Sequence, residues 1–354
     1  MEQHSDLNIM LRQLPQPAFL VREGRIAAVN SAASACLLQV GQDFSDLLVT
    51  GQAEYGEFDE GSLFVTLSLC GIQRDAWLTR MDGFDLVIAD ETKSQEKLQV
   101  LALAAAALRG PMSGLMTMSE EFFPAAVEGR EALEPKAAQM NRRLYQLLRI
   151  VGNMSDAADF ADPGRMEALE ICGFFEEILE KAVSLMARSG VQLRYELPRE
   201  AIYTLANPDK LERAVLNQLS NAMLHGTEGS EVTFRLIKKN RRIYISVTNV
   251  PADGDARTDL HNRYLRAPGL EDPRHGIGLG MLLMQNAATV HHGAVLVDQV
   301  GESLRVTLSL PIKQGTGQVC SPVWGMDYAG ERDHCLIELA DVLPAEAYAP
   351  DQLS

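Results

Sequence analysis

The stretch Leu211–His225, LERAVLNQLSNAMLH, constrains this chain more than any other. Leu211, Val215, Leu219 and Ala222 recur at helical spacing and make one apolar face. Asn217, Asn221 and His225 fall four apart and make a second stripe, well away from the first. Such a helix packs one side into a core and lines up carboxamides on another. Amide oxygens suit a hard cation such as Mg²⁺, which keeps several waters and takes its remaining contacts from a substrate's phosphates. Taken alone, the stripe is more simply read as the solvated face of an ordinary helix. The sequence downstream reverses that preference.

From Met166 the pattern is that of an α/β sandwich, one mixed sheet with helices on one face. A helix over Cys172–Arg188 leads to a strand over Val191–Leu197 with alternating apolar residues. Asn207-Pro208 supplies a cap and a first-turn proline for the helix Asp209–His225. Strands are expected over Val232–Ile237 and Ile243–Thr248. A long polar stretch, Pro251 to His275, precedes GIGLGM, which opens a helix over Met281–His291. Strands Ala294–Asp298 and Leu304–Leu310 close the unit. Gly276, Gly278 and Gly280 let the backbone approach a ligand, and the free N–H groups of a helix start favour phosphate.

Upstream, two further units are expected. Residues 8–92 read as a small α/β module, with strand-like runs Ala18–Arg22 and Arg25–Val29 around the turn Glu23-Gly24. Asn30-Ser31 offers a cap for a helix over Ala32–Val40, and β-formers cluster at Leu63–Leu69, Asp75–Thr79 and Phe84–Ile88. Residues 93–160 read as two helices. The first, Thr92 to Glu121, carries the seam Leu98, Leu101, Ala105, Leu108, Met112, Leu115, Ser119, Phe122, and Pro111 should kink it. After a break around Pro124–Pro135, the second, Lys136 to Asp159, carries the seam Ala137, Met140, Leu144, Leu147, Val151, Met154, Ala158. Joined by a short connection, the two make an antiparallel hairpin, and one hairpin cannot bury both faces alone. Pairing of two copies into a four-helix bundle, and hence a homodimer, is expected. The fold class is therefore multidomain α+β. The tail, 314–354, contains the apolar-periodic HCLIELADVLP. It either packs back on the preceding unit or binds a partner; an exposed linker anchored by Trp324 and Tyr328 is the plainer alternative.

Charge excludes some partners. The 354 residues carry a net charge of −16, against nucleic acid or an anionic membrane, both of which need a basic surface. Scattered cysteines (Cys36, Cys70, Cys172, Cys320, Cys335) without a CxxC pair fit a reducing compartment and not a zinc site. The apolar run Leu98 to Leu108 is too short to span a bilayer, and a cytoplasmic location is expected.

The paired asparagines, the polar stretch and the glycines in this order resemble the ATP-binding domain of histidine kinases and their GHKL relatives over 161–313. Leu211 onward resembles the N box, with Asn217 and Asn221 at its amide positions. Arg263-Tyr264-Leu265-Arg266 resembles the F box of the lid, and Gly276–Gly280, Leu279 included, the second glycine box. The resemblance implies ATP and Mg²⁺ as ligands, with Asn221 on the metal and Asn217 in support. Departures are visible. The adenine-reading Asp falls at Asn249, a neutral partner weaker by on the order of 1 kcal/mol. A glycine falls at Pro251, the N-box basic residue at Leu224, and a Gly-Thr pair at Ser303-Leu304. Arg274 and His275 either reach phosphate or are solvated lid charges.

The first module, LPQPAFLVREGRIAAVNSAASACLL closing with DLVIADET, resembles a PAS domain, although a generic antiparallel module fits as well. The hairpin is similar to the dimerisation and phosphoacceptor region. Its acceptor box, His-Glu-Leu-Arg-Thr-Pro-Leu, reads here Ala106-Ala107-Leu108-Arg109-Gly110-Pro111-Met112. Alanine has neither nucleophile nor base, so phosphoryl transfer to nitrogen cannot occur at Ala106. No histidine lies between His4 and His225. The leading expectation is a pseudokinase in two-component signal transduction, with a response regulator or another kinase as partner. The alternatives are a working kinase or ATPase acting on a partner, and an adaptor without nucleotide. Against the enzyme, Asn217 stands where hydrolytic relatives carry a Glu.

Overall fold

The computed structural model describes residues 11–81, 83–89, 108, 111–118, 130–158, 162–227, 229–252, 279–313 and 332–353. The N-terminal module is an antiparallel sheet of β1 (Ala18–Arg22), β2 (Arg25–Val29), β3 (Ser62–Leu69), β4 (Ile72–Met81) and β5 (Phe84–Ala89), ordered β2-β1-β5-β4-β3. Helix α1 (Ser31–Ala35) is capped by Asn30, whose Oδ1 accepts from Ala33 N at 2.8 Å and Ala18 N at 3.1 Å. It ends well before the expected Val40, because the backbone turns left-handed at Leu37, φ 60°. Helix α2 (Gln52–Glu57) has no counterpart in the sequence reading; at under two turns it is too short for a period to show. Phe19, Phe44, Leu63, Leu67 and Leu78 form the core of this module.

A helical stretch over 111–118 and the long helix α3 (Arg130–Ala158) follow. A break was expected to end at Pro135, yet Pro135 lies inside α3. Close to the N-terminus, proline removes a single i→i−4 bond, and the rest of the helix outweighs it. Most of the first expected seam lies outside the described residues. Where it is described, a Cβ on Gly114 would lie 3.2 Å from Arg143 Nε, so the stretch 111–118 runs against α3.

The C-terminal unit contains β6 (Glu167–Glu170), α4 (Ile171–Ala187), β7 (Gln192–Glu196), β8 (Tyr203–Ala206), α5 (Pro208–His225), β9 (Glu231–Lys239), β10 (Arg242–Asn249), α6 (Leu279–His291), β11 (Ala294–Val300) and β12 (Ser303–Pro311). Each expected helix and strand falls within a few residues of these bounds. The small β6–β8 pair was missed; each strand has four residues. The main sheet is mixed, since β7 pairs with β9 in parallel and the remaining pairs are antiparallel. Helices α4 and α5 pack on it through Phe175, Ile178, Leu211, Val215 and Leu219, against Phe234, Ile245 and Val247. A last helix, α7 (His334–Glu338), and two short 3₁₀ turns return the tail onto this core.

The two units do not form separate sheets, as the sequence reading had them. β3 pairs antiparallel with β11, Phe64 opposite Val295, Leu63 opposite Leu296 and Ser62 opposite Val297. One ten-stranded sheet results. Each edge strand would otherwise leave a row of N–H and C=O groups open. Side chains follow the ladder across. Phe64 and Trp77 belong to the C-terminal core, and Ala294 to the N-terminal one. Buried Glu54, on α2, lies 2.5 Å from Arg242 Nε and accepts a hydrogen bond from Ser309 Oγ. Gly61 opens β3 at the crossing. Its φ is 97°, and a Cβ there would stand 2.2 Å from Val297 O.

Gly61→Val is therefore expected to destabilise the protein by about 2–4 kcal/mol in urea denaturation, from strain plus the clash. Gly56→Ala, where a Cβ meets nothing within 4 Å, is the control and should be near neutral. An unchanged midpoint for Gly61→Val would show that the halves are not joined at this strand.

Candidate functional site

Helix α5 starts where the sequence says it must. The Asn207 side chain accepts from Lys210 N at 3.0 Å, and Pro208 takes the first helical position. A contact absent from the sequence reading holds this start in place. His291, at the end of α6, accepts from the Asn207 backbone N–H through Nε2 at 2.9 Å and donates from Nδ1 to Ala287 O at 2.6 Å. That geometry needs the neutral ring with its proton on Nδ1. Burial pushes the His291 pKa down from 6.5 to about 4. With the folded pKa lowered, this link is complete above pH 6.5 and is lost as pH falls through about 4.

The apolar stripe Leu211, Val215, Leu219 and Ala222 is buried, as its period requires. Through its middle, the other faces of α5 are not solvated. Residues 211 to 220 are buried all round, which rules out an ordinary polar face. Asn217 is 1% exposed, and among the described residues neither its Oδ1 nor its Nδ2 has a hydrogen-bond partner. Leaving such a group unmade costs about 1–3 kcal/mol. Above it sits the start of α6. A Cβ on Gly280 would fall 2.3 Å from Asn217 Oδ1 and 2.6 Å from Asn221 Nδ2. Only glycine lets the two helices approach this closely, so the carboxamides of α5 and the first turn of α6 meet.

Asn249 is carried to the same end. β10 turns Ile243, Ile245, Val247 and Asn249 to its buried face. Just beyond, the end of α5 is bound to the end of β10. Gly226 bridges Pro251, Thr227 N donates to Val250 O at 2.8 Å, and Ala252 N donates to His225 O at 2.9 Å. Pro251, at a glycine position of the resembled box, here closes this bridge.

The structure thus brings Asn217, Asn221 and Gly280 into contact, and the residues that follow Asn249 are tied to the C-terminal end of the same helix. Arg263, Tyr264, Arg274, His275, Gly276 and Gly278 lie outside the described residues, as does the side chain of Leu279. Ala106 and Ala107 also lie outside them. Chemically, the described group is a neutral set of amides facing the N-terminal end of a helix. It suits anions and hard cations and holds no acid or base for proton transfer. An orphaned buried amide and a cradle that a Cβ would fill are what a Mg²⁺–phosphate group would occupy.

Residues 206–314 match the family model of histidine kinase-, DNA gyrase B-, and HSP90-like ATPases. The C-terminal unit is a histidine kinase-like ATPase domain. Sensor histidine kinase WalK of Bacillus subtilis (strain 168) is 23% identical over 319 residues, covering 85% of this chain and 52% of that protein. Adaptive-response sensory kinase SasA of Parasynechococcus marenigrum (strain WH8102) is 24% identical over 250 residues, 65% of this chain and 60% of that one. The chain therefore spans a little over half the length of these histidine kinase relatives. Among solved structures, histidine kinase ThkA in complex with response regulator protein TrrA is similar, with 11% identity, a TM-score of 0.43, and coverage of 86% of this chain and 98% of that one. Among the described residues, no helix of this histidine kinase-like chain is long and apolar enough to cross a membrane.

Sequence reasoning missed Arg213. It stands one turn before Asn217 on the amide stripe, is buried, and donates to Gly152 O, Asn153 Oδ1 and Glu338 Oε1. Extending the spacing of four backwards from Asn221 and Asn217 reaches it.

Asn217→Leu should raise the stability of the ligand-free protein by about 1–3 kcal/mol, because an unpaired buried amide is replaced by a side chain of similar volume. Denaturant titration checks this. A loss of stability would mean that the amide is satisfied in solution.

Proposed function

We propose that this chain is a histidine kinase-like signalling protein that binds Mg-ATP and does not phosphorylate itself. In this reading Asn221 ligates Mg²⁺ with Asn217 in support. Asn249 faces adenine, Arg263 and Tyr264 belong to the lid, and Gly276, Gly278, Leu279 and Gly280 wrap the phosphates. The Asn217 amide beneath Gly280 carries the proposal, because it is buried without a partner among the described residues. The missing self-phosphorylation rests on Ala106 and Ala107, which stand at the acceptor and its neighbouring acid. The amides of the site supply binding but no base.

Residues 8–92 take the role of a PAS-like input domain, 93–160 of the dimerisation hairpin, 161–313 of the ATP-binding domain, and 314–354 of a tail. The hairpin pairs two copies into a four-helix bundle. Supporting this, Met112, Leu144 and Val151 of the expected seams are 54%, 41% and 49% exposed, with Met116 beside them at 69%. Side chains of this kind in a row need a partner. With no acceptor of its own, the dimer acts on a response regulator or another kinase through its conformation or nucleotide occupancy.

Mg-ATP at a hundred times Kd should stabilise the protein by about 2.7 kcal/mol. Asn221→Ala should abolish that shift, and labelled ATP should leave no label on the chain. No shift at millimolar Mg-ATP would favour the nucleotide-free adaptor; label on the chain or on a candidate partner would favour an active kinase. Sedimentation at micromolar concentration should give a dimer, and a monomer there would sink the bundle.

A further inference from the structure

Residues 332–353 lie beyond the matched ATPase region and are not an exposed linker. Cys335, Leu336, Ile337, Leu339, Ala340, Leu343, Ala347 and Tyr348 are all buried in the C-terminal core. What they touch decides their role. Tyr348 is fully buried, its ring 5.1 Å from that of Tyr145 on α3, and its hydroxyl donates to Leu336 O at 2.7 Å. Helix α3 then reaches the tail backbone repeatedly. Asn141 donates to Tyr348 O at 3.0 Å, and Gln146 to Ala340 O at 3.3 Å. Arg142 donates to Ala340 O at 3.1 Å and to Asp341 O at 3.0 Å.

Beneath these bonds lies a buried charge cluster. Glu338 has no exposed side-chain surface. Its carboxylate faces Arg213 of α5 at 3.0 Å and Arg149 of α3 at 3.5 Å. Arg149 also pairs with Asp341 at 2.5 Å, and Arg213 crosses to Gly152 O and Asn153 Oδ1 on α3. On the outer side His334 faces Glu212 of α5 at 2.8 Å. With Asp341 as the second charge on Arg149, the tail supplies one carboxylate for each of two arginines from two helices, and buried Glu338 touches both. If the tail left, both guanidiniums would lose it together, and uncompensated buried charge is costly.

These contacts use Asn141, Arg142, Tyr145, Gln146 and Arg149. The expected seam residues Met140, Leu144, Leu147 and Val151 lie on other faces of α3, with Leu144 and Val151 exposed. The tail thus leaves the seam free.

We propose that residues 332–353 are a built-in clamp that fastens α3 to α5, so that the hairpin helix and the ATPase domain move as one body. Undocking the tail is then the step that frees the domain to move relative to α3. This holds whether or not the pocket takes nucleotide.

Hydrogen exchange on the full-length protein tests it, with Tyr348→Ala and Arg142→Ala. In Tyr348→Ala, amides of 334–348 and of 140–155 should exchange at least tenfold faster, while those of β3 and β4 stay as in wild type. Arg142→Ala removes only bonds to tail carbonyls and should give the same pattern, smaller, at about threefold. If the tail amides exchange freely while 140–155 keep wild-type rates, the helix is held by something else and the clamp is overturned. Should Tyr348→Ala also expose β3 and β4, it has unfolded, and Arg142→Ala decides: faster exchange in 140–155 supports the clamp, and wild-type rates there overturn it.

Discussion

Edge pairing between β3 and β11 is the constraint on which the rest of this molecule depends. A strand edge is a row of unmet donors and acceptors, and two modules each present one. Three residue pairs of antiparallel ladder close both at once. The close approach requires a glycine at position 61. It also places Glu54 under cover, where Arg242 and Ser309 both meet its Oε1. Hydrogen bonds and cores both run across the junction.

On the other side of the sheet, α5 is loaded from every direction. Its apolar stripe meets the sheet, Arg213 meets α3 and the tail, and Asn217 meets the start of α6. From 211 to 220 a helix used this fully has no face left for solvent. That is why a carboxamide on it is either satisfied internally or kept unpaired at a cost. Asn217 is the unpaired case, and functional sites are where such costs concentrate. The His291 link from α6 to the cap of α5 fixes the spacing of the two helices that bound the site.

Much of this was legible in the chain itself. Helix α5 announced its start through Asn207-Pro208 and its core face through Leu211, Val215 and Leu219. The strands of the ten-stranded sheet showed in runs such as Val232–Ile237 and Ile243–Thr248. Asn217, Asn221 and Gly280 were chosen for their chemistry and are in contact. The short elements α2, β6 and β8 were not legible, because α2 is under two helical turns and each four-residue strand sets only two residues on a face. Pro135 misled in the opposite direction: a proline near a helix start is locally ambiguous between a stop and a tolerated loss of one bond. Arg213, His291 and Glu338 have no local signature, since each acts through a partner far along the chain.

By itself, then, the sequence determined the elements with strong periodicity, the caps, and the set of amides and glycines that make a phosphate site chemically sensible. It also determined the absence of a nucleophile at Ala106. Only the tertiary structure decided that the two sheets are one, that the Asn217 amide is buried without a partner among the described residues, and that the tail's Glu338 binds arginines from two helices. The physical reason is range. Periodicity and capping act within a few residues, whereas edge pairing, burial and ion pairing join groups whose separation in the chain carries no record of their meeting.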